Sequence, residues 1–325
     1  MLSDASLIFA FALDGKGGAT EMDAAAVEAW SADASPMWLH MDRKEPETRA
    51  WLAESGGLSP LVVEALMIED TRPRCTPIEG GAIVNLRGVN LNPGAEPDEM
   101  ISLRMWVEPR RLISVRASRL MAVGDAREAL LSGSGPTAIG GLLAKLAGAL
   151  AERVEPVLDN LEEMMDELED RTLEDAGRPG TQDRLNSTRR QAIHLHRHLR
   201  PQRDALSALA GSYFAGLQDI DRSRFREAAD RTTRFVEDLE ALRDRAAVLH
   251  EEALTRQSEK INRTTYVLTL VATIFLPLGF VTGLLGINVG GIPLAESGAG
   301  FLIICGALAA LAVVEYLIFR WMKLL

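Results

Sequence analysis

One amide side chain stands out in an apolar stretch near the end of the chain. Residues 275–291, FLPLGFVTGLLGINVGG, contain one proline, five glycines and a single asparagine, Asn288. Polar groups at the ends of apolar spans are costly and usually serve function or helix contact. Glycine at position 286 allows a positive φ and a sharp exit from the helix, which leaves the last carbonyls without partners. Such amides and carbonyls offer neutral oxygens that suit a hydrated divalent cation.

Two histidines form a second candidate site. His194 and His198 are four residues apart in HLHRH, which places them on one helix face at a spacing that zinc can use. The surrounding sequence supplies no carboxylate or cysteine to complete the set, so a solvated helix face is the favoured interpretation. A metal or pH sensor is the alternative. Cys75 and Cys305 lack His or Cys neighbours at metal spacing, which excludes a four-ligand zinc site built on them.

Composition narrows the function classes. The chain has 325 residues and a formal net charge of -11, which argues against a nucleic-acid partner. Two cysteines in unlike contexts indicate no disulfide framework and suit a reducing compartment. The first residues lack a basic region and a long apolar run, so we expect a strand over Leu7–Leu13 and no signal peptide. The sequence shows neither a phosphate loop after a strand nor a nucleophile elbow, so no enzyme is indicated.

Two apolar runs near the C-terminus predict a membrane hairpin. Residues 266–286 carry no charge and span about 31 Å as a helix, the thickness of a bilayer's hydrocarbon core. Residues 298–319 form the second run, interrupted by Glu315, which we expect to snorkel to the interface more readily than to carry a proton or pair with Arg320. The link, 287–297, has no Lys or Arg, whereas both outer flanks do. This bias predicts that both termini, including the basic tail 320–325, are cytoplasmic.

The part before the spans divides by its patterns. Residues 1–135 alternate strand-like and helical segments and predict an α/β domain, with Ser59 capping a helix that starts at Pro60. Residues 136–220 predict a long helical hairpin kinked at Pro156. Residues 221–286 predict a stalk helix that continues into the first span, because an a/d seam over 235–253 meets no breaker before Pro277. Two helices with a joint near KINRTT are the alternative.

A single hairpin cannot enclose an aqueous path. Conduction therefore requires several copies of the chain around an axis. The seam on the stalk helix could join these copies. A soluble domain tethered by a membrane anchor is the competing interpretation.

The whole chain resembles the CorA superfamily of divalent-metal transporters. That family carries Gly-Met-Asn after its first span. Here Gly286-Ile287-Asn288 stands in its place, which is similar to the ZntB zinc-transport branch, as is the stretch from IEDTRPRC to EMISLRMWV. The isoleucine puts the magnesium selectivity of the Gly-Met-Asn branch in doubt.

The resemblance implies the architecture of an α+β membrane protein. We expect an N-terminal cytoplasmic α/β domain, a long helical stalk and two C-terminal transmembrane helices, assembled as a homopentameric funnel. Gly286, Ile287 and Asn288 would form the selectivity filter, with Asn288 holding the metal through its hydration shell. Glu296 in the link would attract cations as an anionic ring or be a plain solvated residue. The acidic segment 161–170 would line an electronegative funnel. The expected pore-lining residues are Asn262, Thr265, Thr269, Ala272, Leu276, Gly279 and Gly283.

These observations predict an inner-membrane transporter of divalent cations and no enzyme. Zn²⁺ is the expected ion, with Mg²⁺, Co²⁺, Ni²⁺ and Cd²⁺ as further candidates, and proton coupling is raised by the resemblance. We expect no cofactor, and we expect the lipid bilayer and further copies of the chain as partners. A passive Mg²⁺/Co²⁺ channel and a membrane-anchored metal-sensing module are the alternatives. Direction of flux is not encoded in the sequence.

Overall fold

The computed structural model describes residues 6–175, 180–211, 216–287, 289, 292 and 297–321. The chain divides into two compact units, Met1–His250 and Glu251–Leu325. The boundary falls inside a helix and not in a linker. The predicted strand over Leu7–Leu13 is confirmed.

Seven strands of the first unit form one mixed sheet in the order β2-β1-β3-β7-β6-β5-β4. The β3–β7 pair is parallel, and all other neighbours are antiparallel. Separate apolar clusters cover its two faces, so its central strands are buried on both sides, as their continuous apolar runs predict. The strands are β1 Leu7–Leu13, β2 Ala19–Glu21, β3 Met37–Asp42, β4 Arg74–Ile78, β5 Gly81–Gly88, β6 Ile101–Val107 and β7 Arg111–Arg116.

Nine helices are described in the two units. The cap predicted for α3 is present, since the Ser59 side chain accepts from the Val62 N–H and Pro60 occupies the first turn. The helices are α1 Ala24–Glu28, α2 Pro46–Glu54, α3 Pro60–Met67, α4 Met121–Leu131, α5 Ile139–Glu152, α6 Glu155–Asp175, α7 Thr181–Gly211, α8 Asp219–Leu285 and α9 Gly300–Trp321.

Pro156 does not kink a helix as expected. Helix α5 ends at Glu152 and α6 begins at Glu155, so Pro156 lies in the first turn of a new helix. Proline is tolerated there because the first-turn N–H groups have no intrahelical acceptor. Pro201, by contrast, lies inside α7.

The seam predicted on the stalk helix forms a third core. Side chains of α8 are buried with those of α6 and α7 in one apolar cluster. The seam residues in it are Phe235, Leu239, Leu242, Ala246 and Leu249. Within the first unit, the stalk is therefore held by the hairpin that precedes it.

Candidate functional site

The stalk helix and the first apolar span are one continuous helix. Helix α8 has 67 residues, which corresponds to about 100 Å of helix. It passes the KINRTT segment and Pro277 without a break, which confirms the continuous helix and not the jointed alternative. The apolar part of α8 and all of α9 are long and apolar enough to cross a membrane, and neither window is buried inside the protein. That exposure distinguishes them from core helices of a soluble domain.

Each span carries one half-buried stripe. The stripe on α9 recurs at steps of three and four residues, as expected for one helix face. Since α8 and α9 supply the helices of the second unit, we infer that their stripes face each other. The α8 stripe is Leu270, Ile274, Pro277, Leu278, Val281 and Leu285, and the α9 stripe is Ile304, Leu308, Leu311, Ala312, Glu315 and Phe319.

The predicted pore-lining residues share the opposite face of α8. At 3.6 residues per turn their mean direction lies about 160° from that of the half-buried stripe. All seven, from Asn262 to Gly283, are exposed in the protomer. The face that sequence periodicity selects is therefore a free face, turned away from the half-buried stripe.

The chemistry of this free face changes along its length. The Thr269 Oγ1 donates to the Thr265 carbonyl at 2.8 Å, so its proton is engaged and its oxygen remains an acceptor. Further along, Gly279 and Gly283 have open space where a side chain would stand. The face thus offers neutral oxygen acceptors near Asn262 and a smooth, narrow surface toward the end of the span.

Sequence reasoning overlooked Thr273 at the edge of this face. Its Oγ1 donates to the Thr269 carbonyl at 2.7 Å, extending the threonine series by one turn. Pro277 has no N–H, so the Thr273 carbonyl loses its usual partner four residues on. The sequence contained a signal for Thr273, because the carbonyl of a residue four positions before a proline has no helical N–H partner.

The end of α8 does not use the conformational freedom that glycine offers at position 286. The φ of Gly286 lies outside the left-handed region. The Gly286 N–H donates to the Gly283 carbonyl at 3.2 Å, which tightens the last turn. A Cβ at Gly286 would lie 3.1 Å from the Thr282 carbonyl, so close packing accounts for the glycine. Ile287 is exposed, while Asn288 and Glu296 lie outside the described residues, and their roles stay predictions.

Each histidine of the pair His194 and His198 has surroundings that the sequence did not predict. His194 Nδ1 lies 2.9 Å from Asp98 Oδ2, a carboxylate in the loop before β6. Burial lowers the pKa of His198 to about 4, helped by the charges of Arg87 and Arg197. In the described part of the chain no three His, Cys, Asp or Glu side chains are grouped to hold a metal. The metal role of His194 and His198 therefore stays a prediction.

Two acidic features have surroundings that the sequence did not predict. In the segment 161–170, Asp166 and Glu169 both bind Arg245, at 2.5 and 2.9 Å, which raises the pKa of that guanidinium and offsets part of the segment's negative charge. Glu315 is half-buried on α9, and its Oε2 is shielded from solvent and has no hydrogen-bond partner among the described residues. The funnel role of the segment and the snorkelling of Glu315 stay predictions.

Comparison with known proteins gives one consistent picture. Residues 33–321 match the family model described as CorA-like Mg2+ transporter protein. The divalent cation transporter CmaX of Pseudomonas aeruginosa is 39% identical over 321 residues, covering 98% of this chain and 96% of that protein. The zinc transport protein ZntB of Yersinia pseudotuberculosis is 36% identical over 310 residues, covering 95% and 93%. The structure of full-length CmaX superposes with a TM-score of 0.86 at 38% identity, covering 99% of both chains.

Proposed function

This chain belongs to the CorA family and is a divalent cation transporter of the CorA/ZntB type, and we propose that it carries Zn²⁺ through a homopentameric pore. The pore runs along the free face of α8, from Asn288 with Gly286 and Ile287 at the outer end to Asn262 at the cytoplasmic end. Members of this family transport ions and are not enzymes, so no chemical step is assigned.

The observation that carries the proposal is the division of α8 into two opposite faces. One stripe is half-buried in the hairpin, and the other holds seven exposed residues of hydroxyl, amide, small or apolar type. A single hairpin has no interior, so an aqueous path requires this face to meet its counterparts around a symmetry axis. The continuous helix keeps all seven in a fixed register along α8.

Neutral oxygens give the path its chemistry. Amide and hydroxyl oxygens hold a hydrated divalent cation without trapping it, which allows the ion to leave the site again. The apolar and glycine positions between Ala272 and Gly283 make a narrow section that could close by losing water. Zinc is favoured over magnesium by Gly286-Ile287-Asn288 and by the ZntB relative.

The proposed setting is the inner membrane with both termini in the cytoplasm. The basic residues that flank the spans and the absence of Lys and Arg from the 287–297 link support this orientation. A second candidate is a passive, general divalent cation channel, favoured by the magnesium description of the family model and by the broader name of the CmaX relative.

The test is metal uptake into proteoliposomes, with Zn²⁺ or Mg²⁺ and with or without a pH gradient. We expect zinc flux to exceed magnesium flux, to rise with the gradient and to fall at least tenfold in Asn288→Ala with the oligomer intact. Thr282→Val is the matched control, because Thr282 lies on the flank of α8, about 110° around the helix from the mean direction of the pore-lining residues, and should leave flux unchanged. Equal, gradient-independent fluxes would favour the general channel. A monomer in detergent without metal flux would refute the pore.

A further inference from the structure

A pocket of about 330 Å³ lies beside α7 in the first unit, apart from the proposed ion path. One wall is the loop segment 98–100 that leads into β6, and the other is the α7 turn carrying His194, Arg197 and His198. Arg87 of β5 completes the lining. Two arginines and two histidines therefore line one opening, together with the carboxylates of Asp98 and Glu99.

Hydrogen bonds hold the Arg87 side chain in place but leave one of its N–H donors without an acceptor among the described residues. Its Nε and Nη2 donate to the Thr71 carbonyl, and Nη1 donates to the Met100 carbonyl at 2.8 Å. Among the described residues its ion-pair partner is Asp70, at 3.1 Å, and that carboxylate is 83% exposed. A guanidinium has five N–H donors, so one Nη1–H remains for another acceptor. Burial lowers the pKa of Arg87, as expected for a cation with weak compensation.

The same region contains further uncompensated donors. Arg104 is 1% exposed, and its Nε and Nη1 have no acceptor among the described residues. Arg197 is exposed and likewise has no acceptor within the described part of the chain. The pocket lining holds two arginines and two carboxylates, Asp98 and Glu99, so it is the open hydrogen-bond donors, and not a net charge, that favour a further acceptor there.

His198 adds a neutral donor. Its Nδ1 is shielded from solvent and has no partner among the described residues. With a pKa of about 4, set by burial and by Arg87 and Arg197, the ring is neutral at pH 7 and can carry its proton on Nδ1. Asp98 is engaged with His194, and Glu99 is exposed at the rim, so neither carboxylate compensates the arginines directly.

We propose that this pocket binds a small tetrahedral oxyanion, inorganic phosphate or sulfate, between Arg87, Arg197 and His198. Guanidinium groups match oxyanions in geometry and charge, and a neutral histidine donates one further hydrogen bond. The ligand would connect α7 to the loop before β6 and accept the hydrogen bonds that these donors leave open.

The experiment is calorimetric titration of the full-length protein in detergent with inorganic phosphate, and with chloride at matched ionic strength. We expect saturable phosphate binding that chloride does not reproduce and that Arg197→Gln weakens at least tenfold. Arg190→Gln is the matched control, since Arg190 is exposed on the same side of α7 two turns away and should bind phosphate like the native chain.

Three results would overturn the proposal. The first is the absence of saturable phosphate binding, and the second is an equal loss of phosphate affinity in Arg197→Gln and Arg190→Gln. The third is a protein that binds Zn²⁺ but not phosphate and loses Zn²⁺ binding in His198→Gln. Because both substituted arginines are exposed, misfolding is not expected to obscure the result. Metal flux in the same preparation reports on the ion path separately.

Discussion

His40 makes the stability of the first unit depend on pH. Its side chain is fully buried in β3, with Nδ1 2.8 Å from the Ser114 hydroxyl and Nε2 without a partner among the described residues. Burial, reinforced by the charge of Arg116, lowers the pKa of His40 from 6.5 to about 3, although the contact with Ser114 opposes the change. The folded protein therefore excludes a proton that the unfolded chain accepts.

The sign and size of the pH effect on the free energy of unfolding follow from this difference in pKa. Between pH 6.5 and 3 the unfolded state binds more protons, so the free energy of unfolding falls as the pH is lowered. The loss is about 1.4 kcal/mol for each pH unit within that window. Moving from pH 7 to pH 5 should therefore cost about 2 kcal/mol through His40 alone. Above pH 7 its contribution to pH dependence vanishes.

The assay is urea unfolding of the full-length protein in detergent at pH 7 and pH 5, followed by tryptophan fluorescence. Trp38 reports directly, since its Nε1 donates to the same Ser114 hydroxyl at 2.9 Å. His40→Phe should reduce the stability difference between the two pH values by about 2 kcal/mol. Phe9→Leu perturbs the packing around His40 but keeps the histidine, so it should retain the native difference. A His40→Phe protein with unaltered pH dependence would refute the reasoning.

The remaining predictions concern the helices of the stalk. Leu239→Ala should lower the free energy of unfolding by about 2–5 kcal/mol, because Leu239 is 1% exposed in the seam, whereas Val248→Ala, at a position 66% exposed, should change it by under about 0.5 kcal/mol. Equal urea midpoints for these two variants would contradict the packing. Arg245→Gln should cost no more than about 1 kcal/mol, because the pair with Asp166 and Glu169 is partly exposed. That cost should shrink in high salt, and a salt-independent cost would show that packing, and not charge, is responsible.

Local sequence patterns predicted the strands and helices whose structure depends mainly on their own residues. The predicted strand over Leu7–Leu13 formed where the apolar run is continuous, and Ser59-Pro60 began a helix because both residues satisfy the first turn locally. The strand β4 was missed because Pro77 is unfavourable within a strand and is tolerated only at the edge of the sheet, where β4 pairs with β5. Pro156 was misplaced because a first-turn proline and a kinking proline look alike in sequence.

Contacts between distant residues were beyond the reach of the sequence. His194 meets Asp98 across 96 positions, and Arg245 meets Asp166 across 79. Nothing in HLHRH specifies which loop packs on α7, and an acidic helix does not reveal which arginine it faces. The burial of the Glu315 carboxyl likewise depends on which face of α9 turns toward α8.

The sequence by itself determined that α8 would be one long helix with a polar and small-residue face, because periodicity and the lack of breakers are local properties. It also determined the two apolar spans, since length and composition suffice for them. Only the tertiary structure decided which positions of α8 are half-buried and which remain exposed, because that depends on how the helices of the second unit pack. The predicted pore-lining positions of the first span are all exposed, on the side of α8 away from the half-buried stripe.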